Sequence, residues 1–256
     1  MKVKEIEELL LRAESGEIDQ LLNQFRSDER TSVQNLIKKT ERRLEKEEKE
    51  RIRMQAMWDF EKEAKENGYR MIAGTDEVGR GPLAGPVVAA AVILPEDANL
   101  PGIKDSKKLS EKQREELNLL IKEQAVCWSI AEVSPEMIDE INILEASRLA
   151  MKQSVEQLSE KADFVLVDGI PNPRIERPSK AIVKGDNRSI SIAAASIIAK
   201  VYRDHLMEDY DREYPGYGFA QNKGYPTESH MEAVRKQGAC PIHRMTFRPL
   251  NEMEIR

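Results

Sequence analysis

A glycine-rich segment between two short apolar segments constrains the fold of this chain more than any other feature. Residues 70–94 read RMIAGTDEVGRGPLAGPVVAAAVIL. The two ends, RMIAGTDE and GPVVAAAVIL, have the composition of short strands, and Pro95 stops the second one. GRGPLAG between them is typical of a tight turn. The segment therefore predicts a β-hairpin, with Asp76 and Glu77 at the end of its first strand.

Strand-like and helix-like segments alternate after this hairpin. The predicted strands are VCWSIAEVS, DFVLVDGI and AIVKGD. The predicted helices are LSEKQREELNLLIKEQA, SPEMIDEINILEASRLAMKQSVEQL, SISIAAASIIAKVYRDHLMEDYDREY and TESHMEAVRKQG. Ser110 and Gln113 form a capping box on the first helix, and Ser134 with Pro135 opens the second. This order predicts an α/β domain with a mixed central sheet.

Residues 1–70 consist of helix formers with almost no strand signal. Apolar spacing first predicts one or two short amphipathic helices. TERRLEKEEKERIRMQAMWDFEKEAKENG then predicts one long charged helix that Gly68 ends. Its charges nearly balance, which favours a solvated helical face over an arm that binds nucleic acid. We interpret residues 1–70 as a helical accessory extension and residues 71–256 as the main domain.

Composition narrows the classes of function. The 256 residues are 40% hydrophobic, so the chain can bury a core, and the net charge of −6 argues against binding nucleic acid through bulk charge. Cys127 and Cys240 lie far apart without a CxxC motif, so we expect neither a zinc site nor a disulfide framework, and a reduced cytoplasmic setting. No signal peptide or membrane-length apolar run is evident, so we expect no membrane partner.

Four acids stand at the ends of apolar strands: Asp76, Glu77, Asp168 and Asp186. Each alone could be a turn residue, but four at the strand ends of one sheet favour a shared site. Asp76 and Glu77 can both reach it only if their strand ends or bends nearby. A carboxylate cluster without histidine or thiolate suits Mg²⁺ or Mn²⁺. Two such ions, roughly 3.5–4 Å apart, can hold the attacking and leaving oxygens of a phosphodiester, and they would let phosphate approach the glycine turn.

Two alternative chemistries are not indicated. GRGPLAG lacks the spacing of a dinucleotide-binding loop and the lysine of a P-loop, and a strand follows it where a helix would have to begin. The alternative for these glycines is an ordinary hairpin turn. His205, His230 and His243 do not neighbour the acids in sequence, so we expect surface or helix-end histidines and no histidine-pair ribonuclease mechanism.

Basic and aromatic residues supply candidate contacts to a nucleic acid. Lys107 and Lys108 precede a predicted helix, where they could contact phosphate or belong to an ordinary solvated loop. Lys184 flanks Asp186. Tyr225 in NKGYPTESH could be a platform for a sugar or base, and a structural tyrosine is the alternative.

Taken together, these stretches resemble the bacterial type 2 ribonuclease H family, ribonuclease HII. The matching segments run in order from about residue 71 to 249: DEVGRGPLAGPV, DSKKLS, INILEAS, LVDG, KGDNRSISIAAASIIAK, NKGYPT and HRMTF. The resemblance implies a ribonuclease H-like α/β fold with a helical C-terminal part, so residues 71–256 would be a ribonuclease H-like catalytic domain. The implied activity is metal-dependent endonucleolytic cleavage of RNA in RNA/DNA hybrids and of single ribonucleotides embedded in duplex DNA.

The resemblance also implies roles for individual residues. It makes the four acids the catalytic metal ligands, with Mn²⁺ or Mg²⁺ as cofactor and two ions bound when substrate is present. Gly79, Arg80 and Gly81 match the turn whose backbone senses the ribose 2′-OH, the group that separates RNA from DNA. Tyr225 matches the tyrosine that packs on the deoxyribose beyond the RNA–DNA junction, and family members carry either proline or glycine after it, here Pro226. Cleavage 5′ to the ribonucleotide would leave 5′-phosphate and 3′-hydroxyl ends, and a monomer is the expected state.

Three other readings remain open at this point. A DNA junction resolvase of the same superfamily would cleave without needing a ribonucleotide. A non-catalytic RNA/DNA hybrid-binding protein would bind without cleaving, although lysine and arginine would suit that role better than four acids. Residues 1–70 could form a helical scaffold that coexists with catalysis.

Overall fold

The computed structural model describes residues 1–13, 15–169 and 174–253. Within it the chain forms two compact units, Met1–Gln55 and Ala56–Arg256. Among the described residues, no helix combines the length and the apolar character needed to cross a membrane.

The first unit is helical. It contains α1 (Val3–Arg12), α2 (Ser15–Phe25) and most of α3 (Thr31–Ala56). Its core is formed by buried apolar residues of all three helices: Ile6, Leu10, Ile18, Leu22, Phe25, Val33 and Ile37. Charged side chains farther along α3 pair on its own surface, as Arg51 does with Glu48 at 2.7 Å. Charge pairing along one helix is consistent with the predicted solvated face.

The predicted long charged helix is interrupted at Met57. A separate helix, α4, covers Asp59–Glu66 and ends shortly before Gly68. The Met57 carbonyl oxygen accepts a hydrogen bond from the N–H of Ile190 at 2.9 Å. This carbonyl is therefore engaged by a distant element at the point where an unbroken helix would continue. The prediction of one continuous helix was wrong here.

The second unit is built on a five-stranded mixed sheet, as predicted. The strands are β1 (Ile72–Val78), β2 (Val87–Ile93), β3 (Cys127–Val133), β4 (Phe164–Asp168) and β5 (Ser179–Ile182), in the spatial order β3-β2-β1-β4-β5. β1 and β2 form the predicted antiparallel hairpin, and β2 also pairs antiparallel with β3. β4 pairs parallel with both β1 and β5.

The remaining helices of this unit are α5 (Glu111–Gln124), α6 (Pro135–Ile141), α7 (Ile143–Glu156), α8 (Ile190–Glu213), α9 (Phe219–Asn222) and α10 (Glu228–Gln237). α7 and α8 pack on opposite faces of the sheet. On one face the Thr75 hydroxyl lies 3.2 Å from the Ser154 hydroxyl of α7. On the other face α8 approaches so closely that a Cβ on Gly74 would lie 2.2 Å from the carbonyl carbon of Ser191. The serine and alanine residues in the first half of α8 make this approach possible.

The predicted helix over residues 134–158 is instead two helices. The capping at Ser134 and Pro135 is confirmed, but α6 ends at Ile141 and Asn142 adopts a left-handed φ of 70°. The Asn142 side chain then accepts hydrogen bonds from the N–H groups of Leu144 and Glu145, which start α7. Asparagine tolerates this backbone and caps helices through its side chain, so it both ends one helix and begins the next.

Two strand predictions shift at their ends. The strand predicted over AIVKGD begins earlier and ends at Ile182, because Lys184 takes a left-handed φ of 55° and Gly185–Asn187 form a 3₁₀ turn. The strand predicted over DFVLVDGI is confirmed as β4, while Ile170 lies outside the described residues.

Candidate active site

The sheet brings Asp76 and Asp168 together. Thr75 of β1 is paired in parallel with Val167 of β4, so the two aspartates are the next residues on neighbouring strands. Asp168 also pairs with Ile182, the last residue of β5. The 3₁₀ turn that follows β5 returns to this edge, where the Gly185 N–H donates to Asp168 Oδ1 at 2.5 Å. Asp186, the next residue, thus lies beside the other two acids.

Each carboxylate is held by a nearby donor. Asp76 is only 7% exposed, and its Oδ1 accepts from the Glu77 N–H at 2.8 Å. A hydrogen bond from the Ser196 hydroxyl of α8 also stabilises its charged form. Glu77 Oε1 lies 3.3 Å from Arg80 Nη1, and Asp186 Oδ1 accepts from Asn187 Nδ2 at 2.8 Å. These contacts fix one side of each carboxylate.

The pKa values of Asp76, Glu77 and Asp186 are raised, so negative charge on these acids is unfavourable at this edge of the sheet. Burial raises the pKa of Asp76 well above its ordinary value, and the charges of Glu77 and Asp168 raise it further. Burial also raises the pKa of Glu77, opposed by Arg80 and reinforced by Asp168. The pKa of Asp186 is raised mainly by burial, with Asp105 and Asp168 adding repulsion. β1 stays paired with β2 through Val78 and does not bend before Gly79. The charge of Asp168 nevertheless raises the pKa of both Asp76 and Glu77.

This donor set fits hard divalent cations. Its members are carboxylates, the ligands that Mg²⁺ and Mn²⁺ prefer, and their mutual repulsion is what a divalent cation would neutralise. Within the part of the chain that the structure describes, no three acidic, histidine or cysteine side chains are already gathered around one point where an ion could sit. The acids are therefore neighbours at one sheet edge rather than a closed ligand cage.

The glycine turn leaves β1 directly beside these acids. Gly79 has a φ of 93°, and a Cβ built there would lie 2.3 Å from Arg203 Nε and 2.8 Å from the Pro86 carbonyl oxygen. Both the left-handed backbone and the lack of space require glycine at this position.

Two buried arginines hold the carbonyl groups of this turn. Arg244 donates to the carbonyl oxygens of Gly79 at 2.6 Å, Arg80 at 3.2 Å and Gly85 at 2.7 Å. Arg203 of α8 donates to those of Ala84 and Pro86, both at 3.0 Å. With these carbonyls engaged by the protein interior, the turn has a fixed orientation. Across residues 1–13, 15–169 and 174–253, the N–H groups of Gly79, Arg80 and Gly81 have no protein acceptor.

Tyr225 lies against the same turn. Its side chain is 45% exposed, and a Cβ built on Gly81 would lie 3.4 Å from the ring carbon Cε1. The Leu83 N–H donates to the Gly224 carbonyl oxygen at 2.8 Å, and Arg203 Nη1 donates to that of Lys223 at 3.0 Å. The tyrosine loop and the glycine turn are thereby tied into one structure.

The candidate basic residues differ in their placement. Lys107 is exposed and close enough to Asp186 that its charge lowers the pKa of that carboxyl group, against the larger effect of burial. Lys108 Nζ donates to Asn187 Oδ1 at 2.5 Å. Lys184 is also exposed, and its side chain forms no ion pair with a described residue. Lys107 and Lys108 thus border the acids, whereas Lys184 contributes its backbone to the turn before Asp186.

The three histidines are in different environments. His205 is exposed and pairs with Glu115 at 2.8 Å. His230 lies in the first turn of α10, at a helix end as expected, but it is fully buried. His243 is buried outside any helix, which corrects the expectation of a surface or helix-end residue. Among the described residues, no hydrogen bond or ion pair joins any of the three histidines to Asp76, Glu77, Asp168 or Asp186.

Several residues with structural roles at the site are missing from the sequence prediction. These are Asp105, Ser196, Arg203 and Arg244, whose contacts are given above, and Ser106, whose hydroxyl lies 3.0 Å from that of Ser196. Arg203 gave no local signal, because it lies in the charged half of α8, KVYRDHLMEDYDRE. Arg244 lies in HRMTF, a segment without helix or strand periodicity that could have revealed its burial.

Family models and related proteins match nearly the whole chain. Residues 73–249 match the model described as Ribonuclease HII, and residues 2–65 match Ribonuclease HII N-terminal domain. Ribonuclease HII of Enterococcus faecalis is 50% identical over 251 residues, which cover 98% of each chain.

Solved structures share the fold. Ribonuclease H2 from Pyrococcus horikoshii aligns with a TM-score of 0.60 and 30% identity, covering 72% of this chain and 96% of that one. The ribonuclease HII in the PCNA complex from Archaeoglobus fulgidus aligns with a TM-score of 0.59 and 28% identity, covering 72% and 100%. On the site geometry and these similarities together, the chain belongs to the ribonuclease HII family and is a metal-dependent ribonuclease H, an endonuclease that acts on RNA/DNA hybrids.

Proposed function

We propose that this endonuclease cleaves single ribonucleotides embedded in duplex DNA as well as longer RNA stretches in hybrids, on the 5′ side of the ribonucleotide. The observation that carries this proposal is the position of the glycine turn. The turn directly follows the strand that carries Asp76 and Glu77, and its Gly81 lies next to the Tyr225 ring. One ribose could therefore be sensed on one side of the turn and a deoxyribose on the other.

Each part of the site has a role in this proposal. Asp76, Glu77, Asp168 and Asp186 would hold divalent metal ions, Mn²⁺ or Mg²⁺, two of them when substrate is bound. Ions held there would neutralise the carboxylates and supply activation of a water and stabilisation of the leaving oxygen. The protein's own contribution is to place the acids at one sheet edge and to present donors to the scissile nucleotide. The expected products carry 5′-phosphate and 3′-hydroxyl ends.

The turn supplies the discrimination between RNA and DNA. The backbone N–H groups of Gly79, Arg80 and Gly81 are donors that a ribose 2′-oxygen can satisfy and a deoxyribose cannot. Tyr225 presents an exposed ring beside Gly81 on which a deoxyribose can pack. Lys107 and Lys184 are exposed cations that can contact the phosphate backbone. A site that requires a ribose at one position and a deoxyribose at the next recognises an RNA–DNA junction.

The test uses three end-labelled duplexes of one sequence: all DNA, DNA with a single ribonucleotide, and a long RNA/DNA hybrid. We expect cleavage of the second and third with Mg²⁺ or Mn²⁺, none of the first, and none with EDTA or with Asp76→Asn. Cleavage of all-DNA branched substrates would instead support a junction resolvase. Binding of hybrids without any cleavage would support a hybrid-binding protein.

Residues 1–70 complete the proposal as a helical accessory extension to the catalytic domain at 71–256. We further propose that the protein acts as a monomer in the cytoplasm, where the free thiols of Cys127 and Cys240 would stay reduced. Sedimentation velocity at micromolar concentration tests the oligomeric state. A dimer with the active-site edge buried between copies would contradict it.

A further inference from the structure

His230 and His243 form a buried pair that leads to the backbone of Tyr225. Their Nε2 atoms are 3.1 Å apart, and His230 Nδ1 lies 2.9 Å from the Tyr225 carbonyl oxygen. At the other end, His243 Nδ1 lies 3.0 Å from the Cys240 backbone nitrogen. The rings are enclosed by Tyr217 and Phe219, with Phe219 edge-on to His230 at 5.3 Å between centroids.

The proton positions on the two rings follow from the Tyr225 end. The Tyr225 carbonyl oxygen can only accept, so His230 Nδ1 must carry the proton there. Nε2 of a neutral His230 is then bare and accepts from His243 Nε2–H, which leaves His243 Nδ1 as an acceptor. His243 Nδ1 can accept from the Cys240 N–H at 3.0 Å and from the Cys240 thiol at 3.1 Å, and it lies 3.2 Å from the Cys240 carbonyl oxygen. The opposite tautomers would place two acceptors together at Tyr225.

Both rings are held in the neutral state. Burial lowers the pKa of His230, and burial together with the nearby His230 lowers the pKa of His243 to about 4. Within the described residues, no acidic side chain is hydrogen-bonded to either ring. In the neutral pair only His243 Nε2 carries a proton. A second proton, on His230 Nε2, would place two N–H groups opposite each other. The direction of donation, from Cys240 toward Tyr225, is therefore fixed.

The chain of donors ends where the tyrosine loop meets the glycine turn. The Tyr225 carbonyl oxygen also accepts from the Thr227 N–H at 2.8 Å, which closes a turn around Pro226. Pro226 has no N–H to donate. The hydrogen bond from His230 therefore restrains the Tyr225 carbonyl group in a way that Pro226 cannot. On the opposite side, the residues next to His243 pair with the glycine turn, with Gly85 N–H donating to the Ile242 carbonyl oxygen at 2.8 Å.

We propose that His230 and His243 are positioning residues that set the place of the Tyr225 ring and thereby the preference of the enzyme for an RNA–DNA junction. The effect on junction preference rests on the proposed function. The hydrogen bonds that link Cys240, His243, His230 and Tyr225 do not depend on it. The histidines touch neither substrate nor metal ligands. They act through the Tyr225 backbone, and their effect falls on the substrate that needs this tyrosine.

The first test is a ¹⁵N NMR spectrum of histidine-labelled full-length protein without substrate. With only three histidines, the assignment is simple, and exposed His205 is an internal reference. We expect His230 as the Nδ1–H tautomer and His243 as the Nε2–H tautomer, both unchanged from pH 8 to pH 5.5. The reverse tautomers, or an imidazolium at either position near neutral pH, would overturn the proposed chain. This readout stands whether or not the cleavage specificity is as proposed.

The second test compares His243→Leu with His243→Gln. Leucine removes the donor to His230, whereas the glutamine amide nitrogen can still donate from nearly the same place. The readout is kcat/KM for the single-ribonucleotide duplex divided by kcat/KM for the long hybrid. We expect this ratio to fall about fivefold in His243→Leu, a typical effect of one hydrogen bond, and to stay within about twofold of wild type in His243→Gln.

A double-mutant cycle separates positioning from general structural damage. If the histidines act through the tyrosine, His243→Leu should leave the ratio unchanged in a Tyr225→Ala background. An equal fall in both backgrounds would overturn the positioning role, as would an unchanged ratio in a folded His243→Leu single variant. If the wild-type enzyme showed no junction preference, the proposed specificity and the proposed effect of the histidines on it would both be wrong. The NMR result would still show whether the hydrogen bonds of the histidine pair are as proposed.

Discussion

The Arg244 guanidinium donates to the carbonyl oxygen of Gly79 over 2.6 Å, from a position that is fully buried. The same side chain reaches the carbonyl oxygens of Arg80 and Gly85, and burial lowers its pKa to about 9. A lysine could not reproduce this fork of donors. The conformation of the glycine turn therefore depends on a residue that is more than 150 positions away in the sequence.

We therefore expect Arg244→Lys to loosen the glycine turn. Leaving buried carbonyl groups unsatisfied costs about 1–3 kcal/mol each, so the free energy of unfolding should fall by roughly 3 kcal/mol in urea titrations. For the single-ribonucleotide duplex, kcat/KM for cleavage should fall by a larger factor than the affinity for the duplex. Arg248→Lys is the matched control, since Arg248 is exposed and, among the described residues, its ion pair is with Glu252 at the surface. Equal behaviour of the two variants would argue against this role of Arg244.

Gly79→Ala should be far more damaging than Gly102→Ala. Both glycines have positive φ, 93° and 76°, but nothing lies within 4 Å of a Cβ at Gly102, whereas at Gly79 it would meet Arg203. Gly102→Ala should therefore cost only backbone strain, about 1 kcal/mol. Gly79→Ala should also displace the turn, and a shift of about 1 Å can cost about 100-fold in kcat/KM. Similar kinetics for both variants would show that the placement of the turn is unimportant.

The acids should destabilise the metal-free protein at neutral pH. Burial and the charges of Glu77 and Asp168 raise the folded-state pKa of Asp76 above its unfolded value, so the folded state favours the protonated form. Its contribution to stability is therefore present below the unfolded pKa near 3.8 and is lost as pH rises through the raised folded pKa. In EDTA at pH 7, Asp76→Asn should have a higher Tm than wild type while being inactive.

Added Mg²⁺ or Mn²⁺ should reverse that order. A cation that binds only the folded state raises its stability by mass action, and Asp76→Asn should gain less because it has lost a ligand. Differential scanning fluorimetry with and without metal measures both effects. A Tm for wild type that is insensitive to metal would count against a site at these carboxylates.

Glu61 should be needed for the start of α8. Its Oε1 accepts from the Ser189 hydroxyl at 2.6 Å and from the Ser191 N–H at 3.1 Å, and burial raises its pKa. Glu61→Ala should reduce the free energy of unfolding by roughly 2 kcal/mol, because it leaves both donors unsatisfied. Glu61→Gln keeps an acceptor without the buried charge and should stay near wild type in urea titrations. Equal losses would mean that the hydrogen bonds contribute little.

The same contact predicts where the chain can be shortened. A protein that starts at residue 56 retains α4 and Glu61, whereas one that starts at residue 69 loses both. We expect the first to keep cooperative unfolding and cleavage and the second to unfold at markedly lower temperature. Comparable melting curves for the two would contradict the importance of α4 for the second unit.

The sequence was sufficient for the features that local patterns encode. Apolar alternation, the glycines of the hairpin and the capping residues Ser110 and Ser134 predicted the sheet and most helix starts, because these signals involve neighbours within a few residues. The breaks at Met57 and Asn142 were missed for different reasons. At Met57 the carbonyl oxygen bonds to the distant Ile190, whereas at Asn142 a local asparagine cap lay inside an otherwise helical pattern.

The candidate site divides in the same way. The four acids and the glycine turn were readable because each stands at a strand end, where charge and glycine are conspicuous. Arg203, Arg244 and the His230–His243 pair were not, since their partners are backbone atoms or side chains that only the folded chain brings near. Burial of such polar groups depends on tertiary contacts, which no local pattern encodes.

The most direct test of the proposed specificity for ribonucleotides uses a pair of duplexes that differ by one oxygen atom. One carries a single ribonucleotide and the other a deoxyribonucleotide at that position, and kcat/KM for cleavage at the phosphodiester on its 5′ side is measured with Mg²⁺ or Mn²⁺. We expect cleavage at that bond in the first duplex and none in the second, with 5′-phosphate and 3′-hydroxyl products. Comparable cleavage of both, or cleavage of the first that persists in EDTA, would contradict it.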